Sequence, residues 1–179
     1  MPAPGDNDAR RGRFDAVFAE TFAEVRAYVA RRADPGTVDD VVSETFLVAW
    51  RRLESVPADP LPWLLGVARR VLANQRRADG RRAKLVEALG GLLHGTHAPE
   101  PRSEVFGLLG DAINTLSTRE REAVLLVAWE GLAPSRAAVV VGCDPAAFRA
   151  RLSRARRRLA ARLGEPEISP VRQPAEEAR

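Results

Sequence analysis

The chain has 179 residues, of which 45% are hydrophobic and 6% aromatic, enough apolar material for one ordinary domain or two small ones. Its net charge is +4, but arginines crowd into 69–82 and 149–162 while acids gather at Asp39, Asp40 and Glu44, so different surfaces suit different partners. A single cysteine excludes a disulfide framework, no apolar run approaches the ~20 residues of a membrane span, and alternating β-branched runs are scarce, so the chain reads as all-α, cytoplasmic and without membrane insertion.

Residues 1–12 are small and charged and are expected to be disordered. From Arg13, the residues Phe14, Val17, Phe18, Phe22, Val25 and Tyr28 or Val29 trace an amphipathic stripe that ends before Asp34-Pro35-Gly36. A second helix follows, with Thr37 as its cap and Asp39 and Asp40 in the first turn, where the helix dipole favours carboxylates. Val38, Val41, Val42, Thr45, Phe46, Ala49, Trp50 and Leu53 form its inner face. The outer face presents Asp40, Ser43, Glu44, Leu47, Val48 and Arg51, so two aliphatic side chains project among acids, a pattern that fits docking of a basic partner. After the loop Glu54–Pro60 a third helix starts near Leu61. Trp63, Leu64, Val67, Ala68 and Val71 point inward, and Arg69, Arg70, Ala73, Arg76 and Arg77 occupy one outer arc.

Beyond Ala78 the pattern dissolves at Asp79-Gly80, Gly90-Gly91, Gly95, Pro99 and Pro101, which predicts a flexible linker over 79–102 with room for one short helix between Lys84 and Leu93. His94 and His97 fall in it, but no Cys, Asp or Glu cluster completes a metal set, and no cofactor is expected. The division is therefore 13–78, linker, 103–163. Ser103 caps a helix through Val105, Phe106, Leu109, Ile113 and Leu116, and Ser117-Thr118-Arg119-Glu120 is a second start signal of capping-box type. Val124, Leu125, Ala128 and Trp129 are expected to line the core of that helix, which Gly131 ends. The tail after Gly164, rich in Pro and Glu, is expected to be disordered.

Between these lies a helix, a tight turn and a helix. Gly142 can take the left-handed conformation that stops the helix from Pro134, Asp144 suits an N-cap and Pro145 the first position of the next helix. The turn also holds Cys143, which reads as small apolar filler. In the last helix Phe148, Leu152, Ala155 and Leu159 share one buried face. Ala146, Ala150, Ser153, Arg154 and Arg157 lie opposite, flanked by Arg149, Arg151, Arg156 and Arg158. Seven arginines between Asp144 and Leu163 repel one another on an isolated helix and are better placed beside a polyanion. Small residues at the helix start let its backbone approach a major groove. This arrangement points to DNA.

The segments Asp39–Leu53 and Pro62–Arg70 resemble region 2 of bacterial extracytoplasmic-function (ECF) sigma factors, and Leu116–Glu122, Glu130–Leu132 and Phe148–Arg156 resemble their region 4. The resemblance implies a subunit that brings core RNA polymerase to promoter DNA, with an anti-sigma factor as a further candidate partner. It implies polymerase docking through Asp40, Ser43, Glu44, Leu47 and Arg51. It implies −10 recognition and melting by the third helix, with Trp63, Arg69, Arg70, Arg76 and Arg77 as the candidate residues. It implies −35 recognition by Arg149, Ala150, Ser153 and Arg154, to which the helical wheel adds Arg157. Arg70 stands where the family has Asn in an Ala-Arg-Asn pattern, and Asp144-Pro145 where it has Pro-Val. The alternative is a free-standing regulator with a LuxR-like DNA-binding domain, in which residues 37–77 would line a ligand pocket instead of forming helices with polar outer faces. An enzyme finds no support, since neither a phosphate-binding Gly loop nor a nucleophile with a base is present.

Overall fold

The computed structural model describes residues 4–88 and 110–163, and they contain helices and turns with no strand. Helix α1 (Pro4–Ala30) buries Val25, Tyr28 and Val29, spaced as one face, and Thr21 beside them donates its hydroxyl to the Val17 carbonyl at 2.6 Å. Phe14 stands edge-on to Trp50 at 5.3 Å, and Phe18 lies 4.7 Å from Phe46. The start of α1 corrects the expectation of disorder for residues 4–12; residues 1–3 lie outside the described residues. Arg10 stacks its guanidinium 5.0 Å over Trp50 and donates to the Trp50 carbonyl at 2.9 Å, while Arg13 donates to the Val56 carbonyl at 3.0 Å. Charged side chains hold the first turns against the end of the next helix, a long-range anchorage that local composition does not reveal.

A 3-10 turn (Pro35–Thr37) leads into α2 (Val38–Arg51). Thr37 does not cap α2; its hydroxyl donates to the Asp34 carbonyl at 3.0 Å and closes the turn instead. Of the inner face read for α2, Val38, Val41, Val42, Thr45, Phe46 and Ala49 are buried, Trp50 is half-buried, and Leu53 is buried in the turn just past the helix end. Helix α3 (Pro60–Ala88) runs straight through Asp79-Gly80, so the first part of the expected linker is helical. A helical Gly costs about 1 kcal/mol relative to Ala. The Arg, Ala, Lys and Leu residues on both sides are strong helix formers and outweigh it. The expected short helix to Leu93, the two histidines, the Ser103 cap and the C-terminal tail lie wholly or partly outside the described residues.

Residues 110–114 are helical, with Ala112 and Leu116 buried. Helix α4 (Thr118–Ala128) opens on the capping box read from the sequence: the Glu120 backbone donates to Ser117 Oγ at 3.4 Å, and the Ser117 backbone donates to the Glu120 carboxylate at 3.1 Å. Its core register differs from expectation. Ala123 and Leu126 are the fully buried residues, whereas Ala128 is exposed and Trp129 is 64% exposed. Every residue from Ala123 to Trp129 is apolar, so periodicity alone could not choose the face. Gly131, at φ 66°, turns the chain toward α5 (Pro134–Val141), and α6 (Pro145–Leu163) completes the second unit.

The two helical units do not stand apart. One apolar cluster runs from Val25, Tyr28 and Val29 through Leu64, Leu65 and Ala68 to Leu126, Ala137, Val140 and Phe148. The seam lies between α3 and α5, where a Cβ on Gly66 would meet the Val140 carbonyl oxygen at 3.2 Å. Glycine at this helical position lets the two backbones approach. Among the described residues no helix is long and apolar enough to cross a membrane.

Candidate nucleic-acid interface

The turn between α5 and α6 is built as its sequence predicts. Gly142 is left-handed at φ 70° and ends α5, and its N–H closes on the Ala138 carbonyl at 2.9 Å. Asp144 Oδ1 accepts from the backbone N–H groups of Ala146 at 2.8 Å and Ala147 at 3.1 Å, and Pro145 takes the first helical position. Cys143 is half-buried and packs against the core. Phe148, Leu152 and Ala155 anchor α6 from beneath, with Leu159 half-buried. That packing sets the rotation of the helix. Arg149, Ala150, Ser153, Arg154 and Arg157 are consequently all exposed together. Among the described residues no carboxylate pairs with Arg149, Arg154 or Arg157, while Arg158, on the flank, pairs with Glu120 at 2.7 Å.

Glu120 thus closes the capping box and carries an ion pair. The Ser117 hydroxyl and backbone N–H that it accepts from, followed by Arg158 and Arg154, hold its carboxyl below the ordinary glutamate range.

The second basic face is arranged differently. Arg70, Arg76 and Arg77 are exposed, Trp63 and Arg69 half-buried. Arg69 forms a two-pronged ion pair with Glu122 of α4, one arm at 3.0 Å, and this bond raises the already high pKa of its guanidinium. Arg76 donates to the Arg32 carbonyl at 2.7 Å, and Arg77 bonds Asn74 within its own helix. On α2 the residues Asp40, Ser43, Glu44, Leu47 and Arg51 are exposed, Leu47 by 45%.

The structure brings together what the sequence kept in separate sets. Asp40, Glu44 and Val48 of α2 face Trp63, Arg70 and Asn74 of α3 across one groove of about 700 Å³, which Arg52, Gln75 and Arg81 help to line. Asp40 and Glu44 thus edge the α2 wall, which Arg52 ends, and Arg70 and Arg81 edge the α3 wall. Sequence reasoning missed the acids that meet the arginines between the units: Glu122 on Arg69, Glu130 on Arg31 and Arg32, the latter at 2.7 Å, and Asp59 on Arg136 at 2.6 Å. Nothing local marks these residues, since their partners lie 53 to 99 positions away.

Two family matches cover most of the same ground. Residues 18–82 match sigma-70 region 2, and residues 106–159 match sigma-70 region 4. The ECF RNA polymerase sigma factor SigC of Mycobacterium tuberculosis is 33% identical over 153 residues, covering 79% of this chain and 78% of that protein. The ECF RNA polymerase sigma-E factor of Salmonella typhimurium is 30% identical over 157 residues, covering 80% and 82%. Among solved structures, the sigma factor RpoE of Bartonella quintana, crystallised with the anti-sigma factor NepR, superposes with a TM-score of 0.59 at 26% identity and covers 84% of this chain and 96% of that one. With both regions present in order, the chain belongs to the ECF family of RNA polymerase sigma factors. Such a protein directs core RNA polymerase to promoters and is an initiation factor whose partners are the polymerase and promoter DNA. The LuxR-like alternative is not favoured.

Proposed function

We propose that this sigma factor divides promoter recognition between its two basic faces and docks on polymerase through α2. In this reading α6 enters the major groove of the −35 element, with Arg149, Ala150, Ser153, Arg154 and Arg157 toward the DNA. Trp63, Arg69, Arg70, Arg76 and Arg77 serve the −10 element. Asp40, Ser43, Glu44, Leu47 and Arg51 engage the polymerase. The observation that carries it is the exposed arc of Arg149, Arg154 and Arg157 on a helix whose start is capped by Asp144 and whose opposite face buries Phe148, Leu152 and Ala155. A helix held that firmly, with arginines free of carboxylate partners among the described residues, is pre-arranged for phosphate and base edges.

The −10 unit extends to residue 88 and the −35 unit runs from 103 to 163, with residues 89–102 connecting them. The protein acts in the cytoplasm, where its polymerase is, and supplies no catalytic group of its own; bond formation is the polymerase's chemistry. As with the Bartonella relative, an anti-sigma factor is a fitting partner for its exposed faces.

The test is transcription with purified core polymerase and this protein, with start sites mapped across the source genome. Initiation from a defined set of promoters sharing two spaced elements is expected. Sequence-specific binding to duplex DNA without polymerase, and no stimulation of initiation, would favour a free-standing regulator instead.

A further inference from the structure

We propose that Arg70 is the base-reading residue of the −10 face and that the base it selects is guanine. This deepens the −10 assignment of α3 given above, on which it rests. Of the four arginines in that assignment, three are already engaged. Arg69 is held by Glu122, Arg76 donates to the Arg32 carbonyl and Arg77 bonds Asn74. Arg70 is exposed, and among the described residues its guanidinium has neither a hydrogen bond nor an ion pair. It lies in the groove between α2 and α3. Trp63, Val67, Arg70 and Asn74 recur along that groove at intervals of four, three and four, a single stripe of the helix. The indole and the guanidinium thus stand two turns apart, about 10 Å along the axis, with buried Val67 as the floor between them.

The other wall of the groove decides between a base and a phosphate. Asp40 and Glu44 face Arg70 across it, and two carboxylates repel a phosphate that the guanidinium alone would attract. A guanine suits both walls. Its O6 and N7 accept the two parallel N–H groups of an arginine fork, while its N1–H and N2–H2 edge offers donors to carboxylates, which when ionised can only accept. Adenine and cytosine each turn an amino group, a donor, toward the same fork, and thymine offers O4 alone. The face of the base has Trp63 to stack on, a half-buried indole whose position is set by its packing.

The test uses holoenzyme assembled from purified core polymerase and this protein. It is incubated with single-stranded DNA carrying a block of randomised positions between thymidine runs, and the bound fraction is sequenced, with core polymerase alone as background. The wild type should enrich guanine over each other base about tenfold at one position of its motif. Arg70→Lys keeps the charge but not the fork, and should flatten that position while leaving the rest of the motif intact. Arg70→Asn should move the preference there to adenine, whose N6 and N7 fit an amide. Both substitutions fall on an exposed site of α3, and Asp40 and Glu44 stay unchanged so that polymerase docking is not disturbed. Guanine enrichment that survives Arg70→Lys, or a motif with no guanine position, overturns the proposal and leaves the −10 assignment standing. Equal loss of affinity on every sequence, with the base profile unchanged, would make Arg70 a phosphate contact and overturns it too. No wild-type motif above background would overturn the −10 assignment itself, and the guanine reading with it.

Discussion

Replacing Arg154 by alanine removes an exposed guanidinium from the centre of the α6 arc without touching the core, because Phe148, Leu152 and Ala155 carry the packing. A base contact by this side chain predicts a loss of about 1–3 kcal/mol at the −35 element and relaxed preference at one base position. A phosphate contact predicts equal loss on every sequence and a shallower salt slope. Binding to single-base variants at two salt concentrations separates them. Leu47 and Glu44 make the corresponding case on α2. Both are exposed over a filled inner face, so Leu47→Asp with Glu44→Arg should abolish polymerase binding in a pull-down while changing stability by only about 0.5 kcal/mol per site. Equal loss of melting temperature and binding would show that the pair supports the fold instead. Glu120 gives a pH test with a defined sign. Its folded-state pKa is depressed by Ser117 and by Arg158, so its contribution is complete above the ordinary glutamate value and disappears as pH falls through the lower folded value. Thermal melts of wild type and Glu120→Gln should therefore differ at neutral pH and converge in acid.

The turn-plus-helix pair from Pro134 to Leu163 was legible almost to the residue, and α1 and α4 were not, for a physical reason. Gly142, Asp144 and Pro145 each act on their own backbone, so their chemistry is local and survives being read in isolation. Ser117 and Glu120 are three residues apart and are equally readable. Arg10 is helical because of Trp50, forty positions later, and the face of α4 is selected by what packs on Ala123 and Leu126. The candidate site divides in the same way. The α6 arc follows from one helical wheel, but the groove between α2 and α3 and the occupation of Arg69 by Glu122 exist only once the helices are assembled. Asp144→Ala is the element-level test. It removes acceptors for two N–H groups at the start of α6 and should cost about 1 kcal/mol. Because the cap also sets where the arc begins, −35 binding should weaken more than thermal stability predicts, which paired melting and duplex-binding measurements would show.

Each helical unit taken alone is small enough to bury only a modest fraction of its surface and to be marginal in stability. The apolar cluster that joins them through Gly66 and Val140 changes what heat does to the protein. Sharing a core makes the stability of either unit depend on the other being folded, so low-salt calorimetry of the wild type should give one transition with a calorimetric enthalpy close to the van't Hoff value. Gly66→Leu, which crowds the Val140 carbonyl, should split it into two smaller and broader transitions. The seam of Gly66 on Val140 would in that way set the cooperativity of unfolding for both units at once.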